Sequence, residues 1–442
     1  MNRLKHSLKF FGKAVLLSGF GAVIYGIALI AMDVLLASKY GTGSQAAVYQ
    51  AAYQLPSTLI STLSGGVIFG ILIPLFVNAG MREHHPNAQI LLSQVSGFVL
   101  FSLLLVVVVL FILAPYTATL LAYGFKPALQ AQVSTVMRWM LPILILHGLA
   151  SVASAGLLAL NKVTIVNLLP AVVPLAGILT MPFWGGQGAR WVAWGYLAGT
   201  VVLAGLLMLR LGNAGYRVLP PARSDVIFVK KMCHLFGTSV LAYVMLGLLL
   251  PINLAFAGKL SAQDLSVFAY ATKLVLLALA FITTIINSVG LPYFSDLVKK
   301  KSSVNIWPKM RQMIGYVFLL GLGLAFIWQA LAYWVVKLIY ENGQFSTENV
   351  RAVAAVQRIF VLQIPFYLVG IVCWRSLNVF MLWKPLVWAS LAAIVVDIVA
   401  NETLRNFHAS GVASSYVIAI AVWSVVLFFY LRKHMNNSES PV

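Results

Sequence analysis

The sequence predicts an all-α integral membrane protein: about twelve transmembrane helices in two six-helix bundles around a central cavity, related by a pseudo-two-fold axis along the membrane normal. Three observations predict it. Of 442 residues, 61% are hydrophobic and 9% charged, with a mean hydropathy of +0.94, too few polar groups to cover a domain in water. Apolar stretches of the twenty or so residues that cross a bilayer follow one another from Ala14 to Tyr430. The chain also repeats its own features about 220 residues on.

The expected spans are 14–37, 46–77, 89–114, 133–160, 165–183, 191–211, 233–257, 265–294, 312–338, 351–376, 382–400 and 410–431. The first follows a basic stretch with no small-residue cleavage site behind a short apolar region, so it reads as an uncleaved helix. The second carries Gly65, Gly66 and Pro74, and the third is an unbroken apolar run. The fourth holds Arg138 near one end and His147 mid-span, a single imidazole best explained by a structural hydrogen bond. The fifth follows Leu160-Asn161-Lys162, and the sixth ends at the longest basic loop, Arg210 to Lys231. That loop divides the chain into halves of six spans, 1–215 and 216–442.

In the second half, the seventh span begins at Cys233 and the eighth holds Lys273, Gly290 and Pro292. The ninth is apolar, the tenth carries Arg358 and Arg375, the eleventh Asp397, and the twelfth leads to the basic Arg432-Lys433. The alternation of a lipid-facing barrel strand dominates nowhere, and a helix satisfies its own backbone in lipid. Cys233 and Cys373 lie far apart in sequence and give neither a disulfide framework nor metal-ligand spacing.

Thirty Lys and Arg against ten Asp and Glu could suggest nucleic acid, but the basic residues sort by loop. Nineteen fall on the side of the N-terminus, among them Arg3, Lys13, Arg82, Arg217, Lys299 and Lys433; seven, such as Lys126, Arg190 and Lys259, fall on the other. The positive-inside rule then places both termini in the cytoplasm, with membrane lipid rather than nucleic acid as the environment.

The internal repeat is visible in order. Ile73-Pro74-Leu75-Phe76 returns as Leu291-Pro292-Tyr293-Phe294, 218 residues later. Tyr123 corresponds to Tyr340 at an offset of 217, Arg138 to Arg358 at 220 and Lys162 to Lys384 at 222. Each half has an even number of spans, so both copies share one orientation, with a cavity between them as the transporter plan.

Several segments together resemble a known family. They are Met32-Asp33 through Gly41-Thr42-Gly43, Leu55-Pro56, Leu157 to Lys162 followed by Pro170, Tyr270-Ala271-Thr272-Lys273-Leu274, and Gly343-Gln344-Phe345-Ser346. Their order over some 350 residues is similar to that of the MurJ (MviN) family of the multidrug, oligosaccharidyl-lipid and polysaccharide exporter superfamily. The resemblance implies a bacterial inner-membrane flippase acting as a monomer on a lipid-linked oligosaccharide with a pyrophosphate, by ion-coupled alternating access. Two departures stand out. Family members that move lipid II carry arginines on the first two spans, whereas the matching positions here are Gly26, Met32 and Ile60. Members commonly have fourteen spans, two more than are read here.

Lys273, deep in the eighth span, is the first candidate for substrate binding: an ammonium in a wet cavity attracts phosphate, the alternative being a lysine that snorkels to the headgroups. Arg138 and Arg358 occupy matching places near span ends, as a substrate-facing pair or as snorkelling anchors. Arg375 is an interface anchor, at a place that resembles a basic position in the family. Asp397 and Asn401 share a helix face at i, i+4 and could offer oxygens to sodium or carry a proton, while Asp33 sits near a span end in a structural role. Gly65, Gly66, Pro74, Gly290 and Pro292 are candidate hinges, or sites of close helix packing.

No phosphate-binding glycine loop or Cys/His metal spacing occurs, and no cofactor is expected beyond a coupling sodium ion or proton. The leading function is a flippase for lipid II or an exopolysaccharide repeat unit. A cation-coupled drug or metabolite exporter is the alternative. A membrane glycosyltransferase or polymerase is disfavoured, because the longest loops are basic and lack paired acids.

Overall fold

Lipid offers the backbone no hydrogen bonds, so each apolar run must close its own ladder. The computed structural model describes residues 2–62, 69–184, 188–218, 226–299, 306–380 and 382–437, and among them there are helices and turns but no strand. The helices are α1 (Asn2–Tyr40), α2 (Ser44–Thr62), α3 (Phe69–Asn78), α4 (Pro86–Leu121), α5 (Pro127–Met140), α6 (Pro142–Ala159), α7 (Val163–Leu168) and α8 (Val172–Trp184). They continue as α9 (Arg190–Gly212), α10 (Val226–Leu260), α11 (Ala262–Lys299), α12 (Ile306–Tyr340), α13 (Thr347–Phe360), α14 (Ile364–Val379), α15 (Trp383–Leu404) and α16 (His408–Asn437).

Ten segments among the described residues are long and apolar enough to cross a membrane, and the last of them, Trp383–Met435, holds both α15 and α16. The second expected span passes through 63–68, outside the described residues, and Gly65 and Gly66 lie there with it.

Several helices outrun the apolar stretches that announced them. With 36 residues, α4 is roughly 54 Å long at 1.5 Å per residue, well beyond a 30 Å core; hydropathy marks only the most apolar stretch, and the helix continues beyond it to Leu121. Other spans are broken. The fourth divides at Pro142, the first residue of α6. The fifth passes through a 3-10 turn containing Pro170, and the tenth through a 3-10 turn, Val361–Gln363, just before Pro365. Proline lacks the N–H and clashes with the preceding turn, which accounts for each break. The expected break at Gly290 and Pro292 does not appear: α11 stays helical from Ala262 to Lys299. Pro74 lies within the ten-residue α3.

The chain forms two compact units, Met1–Tyr40 with Ser44–Tyr243, and Gly41–Gly43 with Val244–Val442. The division falls inside α10, later than the loop at 215, because the helix begins before the contacts of the second unit do. The copies nevertheless share a frame. α5 and α13 each have 14 residues, and both their first and their last residues stand 220 apart, as do the starts of α4 and α12.

In unit 1, α8 and α9 approach closely enough that a Cβ on Gly195 would sit 2.5 Å from the Gly177 Cα, the small-residue packing that lets helices associate in lipid. At the end of the unit bearing the N-terminus, side chains clasp the backbone. Tyr216 donates its hydroxyl to the Met81 carbonyl at 2.7 Å, and Arg82 Nε donates to the Ala159 carbonyl at 2.9 Å. Gln89 both donates to the Arg217 carbonyl (2.8 Å) and accepts from its N–H (3.0 Å).

In unit 2, aromatic rings pack edge-on or tilted through the interior, with Phe268 against Phe360 at 6.0 Å, Phe360 against Tyr416 at 4.9 Å and Trp374 against Trp423 at 5.7 Å. Thr42 donates its hydroxyl to Asn349 Oδ1 at 2.9 Å. In each unit one long helix exposes a large apolar face: Phe101, Leu105, Phe111 and Ile112 on α4; Leu319, Phe326, Trp334 and Leu338 on α12. Such faces require an apolar solvent.

Candidate functional site: a buried carboxylate and amide cluster

Pro251 interrupts the ladder inside α10, and two residues on, the Asn253 side chain donates back to the Leu249 carbonyl at 2.8 Å. The same Nδ2 donates to Asp397 Oδ2 on α15 at 2.7 Å. Asn401, one turn after Asp397, donates to Asn253 Oδ1 (3.1 Å), the Asp397 carbonyl (3.0 Å) and Asp397 Oδ1 (3.2 Å). All three residues are buried, with Asp397 and Asn253 at 0% exposure.

The donors do not balance the acceptors. Asn401 Nδ2 has two hydrogens for three oxygens, whereas its own Oδ1 is buried without a partner. Turning that amide over would gather its oxygen with Asp397 Oδ1, the Asp397 carbonyl and Asn253 Oδ1 around one point. A full carboxylate charge held there by neutral amides alone is costly. A proton or a hard cation is the kind of partner that would offset this cost, since oxygen-only donors suit such ions. No cluster of three or more His, Cys, Asp or Glu occurs among the described residues, and soft-metal chemistry has no ligand set in them.

The other candidate residues are placed as follows. Lys273 is the twelfth residue of α11, half-buried between the buried Thr272 and Leu274, roughly 17 Å along the helix. Arg138 is half-buried, its Nε donating to the Phe111 carbonyl at 3.3 Å and its guanidinium 5.1 Å from the Phe111 ring. It is therefore engaged with α4 beside lipid-facing side chains. Arg358 is exposed on α13, beside the buried Gln357 in sequence. Arg375 is half-buried on α14, and Asp33 half-buried on α1. Met32, one of the positions where the resemblance implied an arginine in related flippases, is fully buried and packs on α8 at Gly177.

Asp397 and Asn401 are thus brought together as their spacing predicted. Asn253 was missed, being 144 residues from Asp397 in sequence. Its signal was a lone amide beside a proline in an apolar run. Gln357, whose Nε2 donates to the Ala271 carbonyl at 3.3 Å, and the fully buried Gln363 were also missed.

A polytopic helical bundle with a duplicated frame and a buried carboxylate and amide cluster inside one unit is the plan of a membrane transporter. The family described as "Lipid II flippase MurJ" matches residues 36–441, and the chain belongs to that family. Its relatives include the "Probable lipid II flippase MurJ" of Rhizobium meliloti (strain 1021), 22% identical, covering 90% of this chain and 76% of that one. The protein of the same description in Synechocystis sp. is 26% identical over 76% of this chain and 65% of its own. Among solved structures, "Lipid II flippase MurJ, inward closed conformation" superposes with a TM-score of 0.77 at 16% identity, covering 94% and 87% of the two chains. An inward-facing MATE family transporter of the MOP superfamily gives 0.70 at 14% identity, covering 97% and 96%. These likenesses establish the fold.

Proposed function

We propose that this chain is a flippase that carries a lipid-linked oligosaccharide, with lipid II as first cargo, from the inner to the outer leaflet of a bacterial inner membrane. The match to the flippase family over residues 36–441 carries the reading. Both termini face the cytoplasm, a reading supported by the distribution of the basic loops, and the chain works as a monomer in two halves. Lys273 supplies a cationic contact to the pyrophosphate. The buried Met32 adds none, which keeps an exopolysaccharide repeat unit open as cargo. Arg138 and Arg358 serve as anchors at span ends, and Arg375 as an interface anchor.

Transport is coupled to a cation, sodium or a proton, taken up by Asp397, Asn401 and Asn253. Binding lets the Asn401 amide turn and gives its buried oxygen a partner. The MATE-like fold similarity and this cluster together favour one second reading, a cation-coupled exporter of drugs or metabolites.

The test is flipping of fluorescent lipid II in reconstituted vesicles under an imposed sodium or proton gradient. Lys273→Ala should slow flipping several-fold without altering expression. Unchanged flipping would remove Lys273 from the site, and efflux of cationic dyes without lipid II movement would favour the exporter. Restoring growth of a strain depleted of its flippase distinguishes lipid II from another polymer precursor.

A further inference from the structure

Unit 1 holds a cavity of about 220 Å³, lined by Gln45, Val48, Gln132, Val136, Gly188, Ala189 and Arg190. It lies where α2 and α5 begin and the chain turns into α9. Val48 and Val136 are buried and form its apolar wall. The turn is held closed by its backbone: Gly188 has φ +64, and a Cβ there would stand 2.6 Å from Gln45 Oε1, so another residue would be both strained and in collision.

The hydrogen bonds fix which way the amides point. The Ala189 N–H donates to Gln45 Oε1 at 3.1 Å, and a backbone N–H accepts nothing, so the Gln45 oxygen must face it. Gln45 Nε2 then donates to Gln132 Oε1 at 3.1 Å, which orients the second amide in turn. Each amide oxygen has been given a donor. What the two glutamines have left is N–H, one hydrogen on Gln45 and two on Gln132, beside the exposed guanidinium of Arg190. No acidic side chain is among the lining residues. A small recess with three spare amide hydrogens, a guanidinium at its edge and no acid complements an oxyanion, and its volume corresponds to about seven waters at roughly 30 Å³ each.

We propose that this cavity binds a small oxyanion, a carboxylate or a phosphate, at the end of unit 1 opposite the N-terminus. The anion comes either from a soluble or cargo-borne group or from an anionic lipid headgroup. The proposal stands whatever the chain transports.

It is tested by hydrogen–deuterium exchange of the full chain in nanodiscs of neutral lipid, comparing millimolar phosphate or acetate with chloride at equal ionic strength. Phosphate or acetate should slow exchange at Gly188 to Ala193 several-fold, and Arg190→Gln, an exposed change that leaves the fold alone, should abolish the effect. Gln132→Leu should do the same. Protection that appears only when phosphatidylglycerol is added, and is lost in Arg190→Gln, assigns the anion to lipid. The idea fails if neither the free anions nor the anionic lipid protects this segment, or if protection is the same in both variants.

Discussion

α5 and α13 have the same length and stand 220 residues apart at both ends, yet their arginines do different things. Arg138 is half-buried against α4, bonded to the Phe111 carbonyl and set over its ring. Arg358 is exposed. A wider contrast separates α8 from α15, the fifth span of each half. Around Gly177 and Thr180, α8 offers small residues on which Met32 and α9 pack, whereas α15 carries Asp397 and Asn401, bonded to Asn253. Duplication preserved the lengths and spacing of α5 and α13. It left the interiors free to diverge, one toward close packing and the other toward polar chemistry.

The contrast is broken most directly at Asp397. Asp397→Asn removes the charge and keeps the shape, so cation-dependent flipping in vesicles should fall by about tenfold or more, the equivalent of roughly 1.4 kcal/mol of lost coupling. Full, gradient-dependent activity in that variant would place coupling elsewhere. Asn253→Ala should follow, lowering apparent cation affinity by roughly ten- to a hundredfold through loss of a hydrogen bond to a charged group, worth roughly 1.5–3 kcal/mol; a titration of flipping rate against sodium or pH reads it. In the packed copy, Gly195→Leu should cost about 1–3 kcal/mol by overpacking α8 against α9, seen as a lower melting temperature in detergent, while cation affinity stays unchanged. The smallest effect belongs to the arginine pair. Arg138→Gln should lose about 0.5–1 kcal/mol of stability with its ring contact, and Arg358→Gln should melt with the parent; equal losses would mean the two helices are more alike than their surroundings suggest.

Much of this was legible in residues alone. Helical spans follow from hydropathy because lipid forces the backbone to bond within each helix, and the repeat was visible from Pro74 and Pro292 through Arg138 and Arg358. Asp397 and Asn401 were readable because i, i+4 is a property of one helix. Asn253 was not, since no local rule says which distant helix faces α15. Proline was the most misleading signal: Pro142, Pro170 and Pro365 break helices, whereas α11 runs on through Pro292. Whether a proline ends a helix depends on neighbours that can take up the freed carbonyl, which is tertiary information.

α10 begins among residues grouped with unit 1 and ends among those grouped with unit 2, the changeover falling between Tyr243 and Val244. Asn253 is ten residues beyond that point, roughly 15 Å along the axis, and Pro251 lies between. One unbroken helix therefore carries residues of both units, so the chain passes from one to the other without a loop at the changeover.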